Sequence, residues 1–514
     1  MKKQMKWMTW LALVLVAAMM PAVVQGAESS DETLARVRAA VGYERLREHA
    51  DGVIAQGTAH YRGLDSKLTF LFTPDNRFRC EIAGPLGRAA GFNGTTGWEV
   101  DSTGMPRVLE LEDLEVEQFN AWMHSGRWMA EDGPFAVTLD ATKTDAQRVA
   151  LALKLKGGLL EATAFVDRAT WLPVKVTRRS PVGETVIELS DYREALGFRF
   201  PRRLTRTLGG VTTVFDVTSV AAARGAARAQ FEPVTARPAD TRWDTSAPAR
   251  IEARVAPSGH ILVQPLVNGK DVGWFLLDTG AGGMVIDRKA ADQLAMPALG
   301  EMVAVGAAGT KKTRYRQGAT FTLGPVTITD TRYMELDLGS TFSLPQAGIC
   351  GRDLFARAVV ELDITGGTVA VYDPAHYRLE GAKWQPLFFS GRTPIARGSF
   401  EGHEGLFRLD TGSDRTVDIH IEAVERYGLG ARGGTKENRA VGVGGAVASR
   451  TARLAWFEFG GHRFQDLEVE LAAKTGGFSD PYTVGNIGMG ILRRFRIVFD
   501  FGNRRVAFVP RDAT

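Results

Sequence analysis

Two short stretches carry the residues that could do chemistry: FLLDTGAGG (275–283) and FRLDTGSDR (407–415). In each, an aspartate ends an apolar run and is followed by Thr-Gly, so Asp278-Thr279-Gly280 is repeated 132 residues later as Asp410-Thr411-Gly412. One such triplet in 514 residues is weak evidence, because Asp before Gly commonly marks a turn. The turn-only reading must also explain why Thr stands between Asp and Gly twice, in the same local setting. Two carboxyl groups held about 3 Å apart cannot both ionise, so they share one proton. The ionised one can then take a proton from water while the protonated one polarises a carbonyl, which is the chemistry of peptide hydrolysis. Gly280 and Gly412 remove Cβ atoms where two such loops must approach closely. Thr279 and Thr411 offer hydroxyls able to bond across to the opposite loop.

The elements that must position these residues are themselves duplicated. Each copy starts as strand, turn, strand: ILVQPLV-NGKD-VGWFLLDTG and TPIARGSF-EGHE-GLFRLDTG. Asn268-Gly269 in the first is a strong hairpin signal. An apolar strand and short helix follow (VIDRKAADQLAM, DIHIEAVERYGL), then a glycine-rich segment (AVGAAGTKKTRYR, AVGVGGAVASRTAR) and further strands. Each copy closes on an apolar-Gly element leading into a hairpin, with Gly351 and Gly488 at equivalent points. This predicts a duplicated pair of β lobes, 251–380 and 381–514, rather than coincidence.

The order of hairpin, DTG, glycine-rich segment and apolar-apolar-Gly resembles the aspartic proteases, both retropepsin-like and pepsin-like, across residues 251–510. The compact lobes look like a fused retropepsin-like dimer. The resemblance implies an endopeptidase with Asp278 and Asp410 as the catalytic pair and Thr279 and Thr411 locking the loops. It further implies flaps at 306–316 and 442–453, with Ile349-Cys350-Gly351 and Asn486-Ile487-Gly488 backing the loops 278–281 and 410–413. Departures from the pattern are informative. Ser413 follows the second motif where Ala281 follows the first, and a hydroxyl near Asp410 would favour its charged form. The expectation is therefore Asp410 as carboxylate and Asp278 as acid. No tyrosine sits within either glycine-rich loop, Tyr315 lying at the far edge of one. The acid four residues after the catalytic Asp survives only as Asp414, and its arginine partner only as Arg352. Two surface charges are the simpler reading, and a cross-lobe pair is the other.

The first half of the chain reads differently. A helix is expected over 31–42 from Leu34, Val37 and Val41, followed by many short alternating strands such as KLTFLFTPDNRFRCEI and GVTTVFDVTSV. This predicts a large curved antiparallel sheet over 27–220. GFNGTTGWEV and ATAFVDRATWLPVKVTRR resemble the LolA-like sheet of bacterial envelope proteins, which implies room for an apolar or lipid ligand. A purely structural or targeting module is the plainer alternative, and Trp98 and Trp171 are read as core rather than groove. Residues 221–250, rich in Ala, Arg and Pro without periodicity, read as a linker. The fold class expected is mainly β: a curved sheet domain and a double-lobed protease barrel domain.

Residues 1–26 show a basic start, the apolar run 7–20 and small residues, the pattern of a signal peptide. An uncleaved anchor is the alternative, but the run is shorter than the ~20 residues of a span. Export, to the periplasm or outside the cell, follows. Of 63 basic and 59 acidic residues, Lys2, Lys3 and Lys6 belong to this leader, so the remainder is near neutral and gives no reason to expect nucleic acid. Cys80 and Cys350 are read as two buried thiols in preference to a disulfide. His403-Glu404 lacks a second histidine and reads as surface, and no metal site or cofactor is expected. The substrate expected is a peptide or protein. With both lobes in one chain, the protease part is expected to be monomeric. A catalytically silent peptide- or lipid-binding envelope protein is the competing reading. A third makes the N-terminal sheet the functional unit, with the protease as accessory.

Overall fold

The computed structural model describes residues 29–180, 183–223, 225, 228–306, 309–339, 345–381, 383–432, 437–442, 445–473 and 479–510. The leader at 1–26 and the tips of both glycine-rich segments lie outside the described residues. The chain is mostly β. No helix among the described residues is long and apolar enough to cross a membrane.

The first helix, α1 (Ser30–Val41), forms where the spacing predicts and buries Leu34, Val37 and Val41. Its start is fixed by a capping box between Ser29 and Glu32, and its end by Gly42 at φ 78°. A five-residue helix, α2 (Tyr43–Arg47), follows. Thirteen strands then form one antiparallel sheet that curls into a half-barrel. Six strands step outward from Val53–Tyr61 to the edge strand Pro106–Val108. Seven more start at the opposite edge, Phe135–Leu139, and step back until Val211–Ala222 pairs with Val53–Tyr61. The two edges are bridged by α3 (Leu111–Ser125), a helix the sequence reading does not anticipate. It buries Glu117, Phe119, Ala121 and Ser125 and ends at Gly126 in the left-handed region. Two apolar clusters lie against it, one around Phe119, Trp128 and Leu151, the other around Phe70, Phe72 and Phe200. Trp98 is core, its indole N–H donating to the Phe231 carbonyl at 2.8 Å.

The segment 221–250, read as a linker, is anchored at several of its described residues. Phe231 is fully buried, Thr241–Trp243 pairs with Val326–Leu336, and the Asp240 carboxylate holds Arg357. Sequence rhythm could not show this, because the partners are more than 80 residues away.

The remaining chain makes two lobes built alike. In the first, Trp274–Leu277 runs parallel to Gln346–Cys350, which lies antiparallel to Met284–Asp287. In the second, His403–Leu409 runs parallel to Gly485–Ile487, which lies antiparallel to Val417–Ile419. A six-stranded sheet takes strands from both lobes, with Val359–Asp363 paired to Phe495–Asp500. One apolar core runs through both, containing Phe275, Leu354, Phe407 and Ile487. Cys350 is buried, Cys80 half-buried, and they are not bridged.

Several buried titratable groups set a pH dependence of stability. Burial pushes the Glu112, Glu117 and Asp418 carboxyls up to about 7. It holds His124 down at about 4 and lowers His420 as well. A carboxyl with a raised folded value contributes stability at acidic pH that is lost as pH rises toward 7. A lowered imidazole contributes stability above its ordinary value that is lost as pH falls through the folded value. The carboxyls, Asp278 included, outnumber the imidazoles. The protein is therefore expected to be more stable at pH 5.5 than at pH 8, by about 1–3 kcal/mol. Calorimetry at the two values checks this, and a higher Tm at pH 8 would contradict it.

Candidate active site

The loops 278–281 and 410–413 meet at the junction of the lobes. Each aspartate ends its strand by a ladder bond: Asp278 N–H donates to Cys350 O and Asp410 N–H to Ile487 O, both at 3.0 Å. The chain then turns, and Gly280 N–H donates to Asp278 Oδ1 at 2.7 Å while Gly412 N–H donates to Asp410 Oδ1 at 2.9 Å. The threonines do cross over. Thr279 Oγ1 donates to Leu409 O (2.7 Å) and accepts from Thr411 N–H (3.1 Å). Thr411 Oγ1 donates to Leu277 O (2.8 Å) and accepts from Thr279 N–H (3.0 Å). Both side chains are buried, so four bonds tie the loops together where water does not compete.

This lock presses each glycine against the opposite aspartate. A Cβ on Gly280 would sit 2.5 Å from Asp410 Oδ1, and one on Gly412 would sit 2.6 Å from the Asp278 carboxyl carbon. Gly351 and Gly488 back the loops for the same spatial reason. A Cβ on Gly351 would lie 2.7 Å from Ala281 O, and one on Gly488 would lie 2.7 Å from Ser413 O. Just past them, Arg352 N–H donates to Ala281 O (3.0 Å) and Met489 N–H to Ser413 O (2.7 Å).

The Asp278 and Asp410 carboxyls are neighbours, both within 3.1 Å of where a Cβ on Gly280 would sit. Burial first, and the Asp410 charge second, raise the Asp278 carboxyl well above the ordinary carboxylate range. Two backbone donors, Gly280 and Ala281, oppose the rise without reversing it. The Ser413 hydroxyl, expected beside the Asp410 carboxyl, is engaged elsewhere. It lies beside Gly488 and accepts from Arg415 N–H at 3.5 Å. Besides Gly412 N–H, Asp410 accepts from the side chain of Asn486, whose Nδ2 lies 3.2 Å from Oδ2. Asn486 is 1% exposed, and Ile349 holds the corresponding ladder position opposite Leu276 in the first lobe. An apolar residue in one half and an amide in the other is a difference visible in the sequence, but only once the strand register is known.

Other residues fall elsewhere than expected. Arg352 is no surface charge: it is 5% exposed, lies 4.7 Å over the Phe389 ring, and pairs with no acid among the described residues. Asp414 is exposed. His260, which the sequence reading passes over, is buried, and its Nε2–H donates to Gly412 O at 3.0 Å with Ser258 Oγ 2.7 Å from Nδ1. Thr393 makes the matching approach from the second lobe, to Gly280 O at 3.5 Å. The glycine-rich segments form hairpins, Ala298–Gly306 with Gly309–Leu323 and Glu437–Gly442 with Gly445–Phe459. Tyr315 is half-buried in the first. Glu404 is exposed, and His403 stacks on Tyr427. Among the described residues no group of three or more His, Cys, Asp or Glu is arranged to hold a metal.

The N-terminal half reaches this site directly. Arg392, whose side chain lies against Gly282, is held by Glu99 (2.9 Å) and Asp101 (3.4 Å) of the half-barrel sheet. Arg107 donates to Gly391 O at 2.7 Å, and Tyr482 to Glu115 at 2.6 Å.

Comparison with curated proteins finds no match. Among solved structures, a LolA superfamily protein from Nitrosomonas europaea is 16% identical, with 35% of this chain and 92% of that one covered at a TM-score of 0.25. A DUF1329 family protein from Desulfovibrio piger is 11% identical, covering 38% and 96% at a TM-score of 0.29. An aspartyl protease family model matches the chain twice, over residues 263–354 and 396–491, so each aspartate of the pair lies within its own copy of that family's repeat.

Proposed function

We propose that the protein is an aspartic peptidase in which Asp278 and Asp410 activate a water molecule against a peptide carbonyl. The observation that carries this reading is the pair of half-buried carboxyls brought together by reciprocal bonds between buried threonines, with the Asp278 carboxyl pushed up. In the resting state Asp410, which accepts from Asn486, is the carboxylate and Asp278 keeps the shared proton. Asp410 takes a proton from water as its oxygen attacks, and Asp278 donates to the carbonyl oxygen, giving a neutral tetrahedral adduct. Collapse of the adduct returns a proton to the leaving amine. Thr279 and Thr411 hold the loops, Gly280 and Gly412 allow the approach, Ala281 and Ser413 continue the turns, and Gly351 and Gly488 back them. The basic, apolar, small-residue order of 1–26 supports an exported enzyme, periplasmic or secreted.

Incubating the protein with a mixed peptide library from acidic to neutral pH tests the reading. Cleavage blocked by a statine-type mimic of the tetrahedral state is expected. No cleavage at any pH would leave the competing view, a peptide-binding protein with an idle dyad.

A second expectation concerns the asymmetry. Asn486→Leu removes the amide that donates to Asp410, so the dyad loses a bond that favours its charged form. The acid limb of the kcat/KM profile should therefore move to higher pH, while Ser413→Ala should leave it in place. A shift with Ser413→Ala alone would return the role to the hydroxyl.

A further inference from the structure

The half-barrel presents arginines on its inner face. Arg202 and Arg206 flank the buried Leu204 on the strand Phe198–Leu208, so all three share one face. Nε and Nη1 of Arg202 are buried without a hydrogen-bond partner. Arg206 forms no ion pair among the described residues, and its charged surroundings include Tyr61 and two further arginines, Arg88 and Arg178. Those two are paired, to Glu99 at 3.6 Å and to Glu112 at 3.3 Å. The acids that α3 adds here are weak counterweights, because burial favours the protonated forms of Glu112 and Glu117. Glu117 Oε1 itself has no partner.

The residues around this basic patch are the ones that touch the catalytic lobes. Glu99, paired to Arg88, also holds Arg392 against Gly282. Tyr61 and Tyr315, the latter on the first lobe's hairpin, both lie about 5 Å from the Arg62 guanidinium, and Arg62 O accepts from Glu301 N–H at 2.6 Å. On the other side, Glu112, paired to Arg178, also feels the charge of Asp480, and Asp480 holds Arg408 of the second lobe at 2.7 Å. The mouth of the half-barrel and the rim of the dyad thus share residues.

We infer that the inner face around Arg202 and Arg206 is an exosite for an acidic stretch of the same peptide whose scissile bond lies on the dyad. Unpaired guanidinium groups screened from bulk water favour carboxylates through charge-assisted, bidentate bonds. The inference rests on the peptidase reading for its substrate, but its binding component stands apart from turnover.

Two fluorogenic peptides with one cleavable core test it, one extended by six Asp/Glu residues and the other by Ser/Gly, each extension placed on either side. The acidic extension on one side is expected to lower KM about tenfold at unchanged kcat, as charge-assisted contacts made equally in ground and transition states would. Salt at 0.5 M and Arg206→Met should bring the ratio of acidic to neutral kcat/KM close to one, and Arg206→Lys should restore part of it. Binding of the same labelled peptides to the Asp278→Asn variant, read by anisotropy, separates the two claims. Tight binding of the acidic peptide with no cleavage by the unaltered protein would sink only the catalytic reading. Equal affinity for acidic and neutral peptides would overturn the exosite. So would binding of dodecanoate that the acidic peptide cannot displace, since the patch would then serve an anionic amphiphile.

Discussion

Asparagine at position 278 or 410 is expected to lower kcat/KM by about three to four orders of magnitude while leaving the protein folded. On the proposed peptidase reading, each replacement removes one of the two groups that move protons in the transition state, an effect of general acid–base catalysis that reaches about 10⁴-fold. The accompanying change in stability separates this from damage. Asp278 is half-buried beside a second carboxyl, and both desolvation and that neighbour raise its pKa. Its folded value lies above its unfolded value, so its contribution is present at acidic pH and lost as pH rises through the folded value. At pH 7.5 the native state bears the cost of either a buried charge or a retained proton. Asp278→Asn should therefore raise Tm at pH 7.5 and change it little at pH 4. Steady-state kinetics and calorimetry on one preparation check both halves. Residual activity near that of the unaltered protein, or a lower Tm at pH 7.5, would contradict the dyad.

The second large effect is expected from a single methyl group. Gly412→Ala places a Cβ 2.6 Å from the carboxyl of Asp278, and Gly412 lies outside the positive-φ set, so space rather than backbone strain is at issue. The Asp278 side chain is held by two backbone donors and cannot turn aside without losing them. The carboxyls must then separate, and a displacement of about 1 Å in a reacting pair costs on the order of 10²-fold in rate. Stability should fall by about 1–3 kcal/mol, the usual cost of overpacking. Gly430→Ala, where the nearest atom would be 3.5 Å away, is the control and should change neither quantity. Unimpaired turnover by Gly412→Ala would show that the loops are looser than their hydrogen bonds imply.

Much of the site was legible before any coordinates. The pair Asp278 and Asp410, the crossing threonines and the small residues at 280, 412, 351 and 488 follow from a duplicated local pattern. Each requirement there is set by neighbours in sequence or by the symmetry of the repeat. What escaped depends on register or on distant packing. Asn486 faces Asp410 because Gly485–Ile487 runs parallel to His403–Leu409, a pairing across more than 70 residues. Ser413, one residue beyond the motif, looked like the donor because it is near in sequence, yet the turn carries its hydroxyl toward Gly488. Arg352 reads as surface by composition but is buried over Phe389, which only the meeting of two lobes can place there. The helix α3 is masked by the strands around it, although Glu112 and Asp113 in its first turn, Phe119, Ala121 and Trp122 beyond, and Gly126 after its end are helix signals. The packing of 221–250 is likewise a matter of partners, not of local rhythm.

The six-stranded sheet shared by the two lobes has a consequence for how such a site can change over time. Because Val359–Asp363 and Phe495–Asp500 are neighbours in one sheet of one chain, the two aspartates never have to find each other by diffusion. Their encounter is an intramolecular event, and dilution does not separate them. A site assembled from two identical chains must accept every mutation twice, once on each side of the axis. Here a mutation falls on one side only. Ile349 and Asn486, His260 and Thr393, and the contact of Arg392 with Glu99 and Asp101 are differences that covalent union permits. One carboxyl can be tuned without detuning its twin, and each flank can meet the neighbouring sheet through its own contacts.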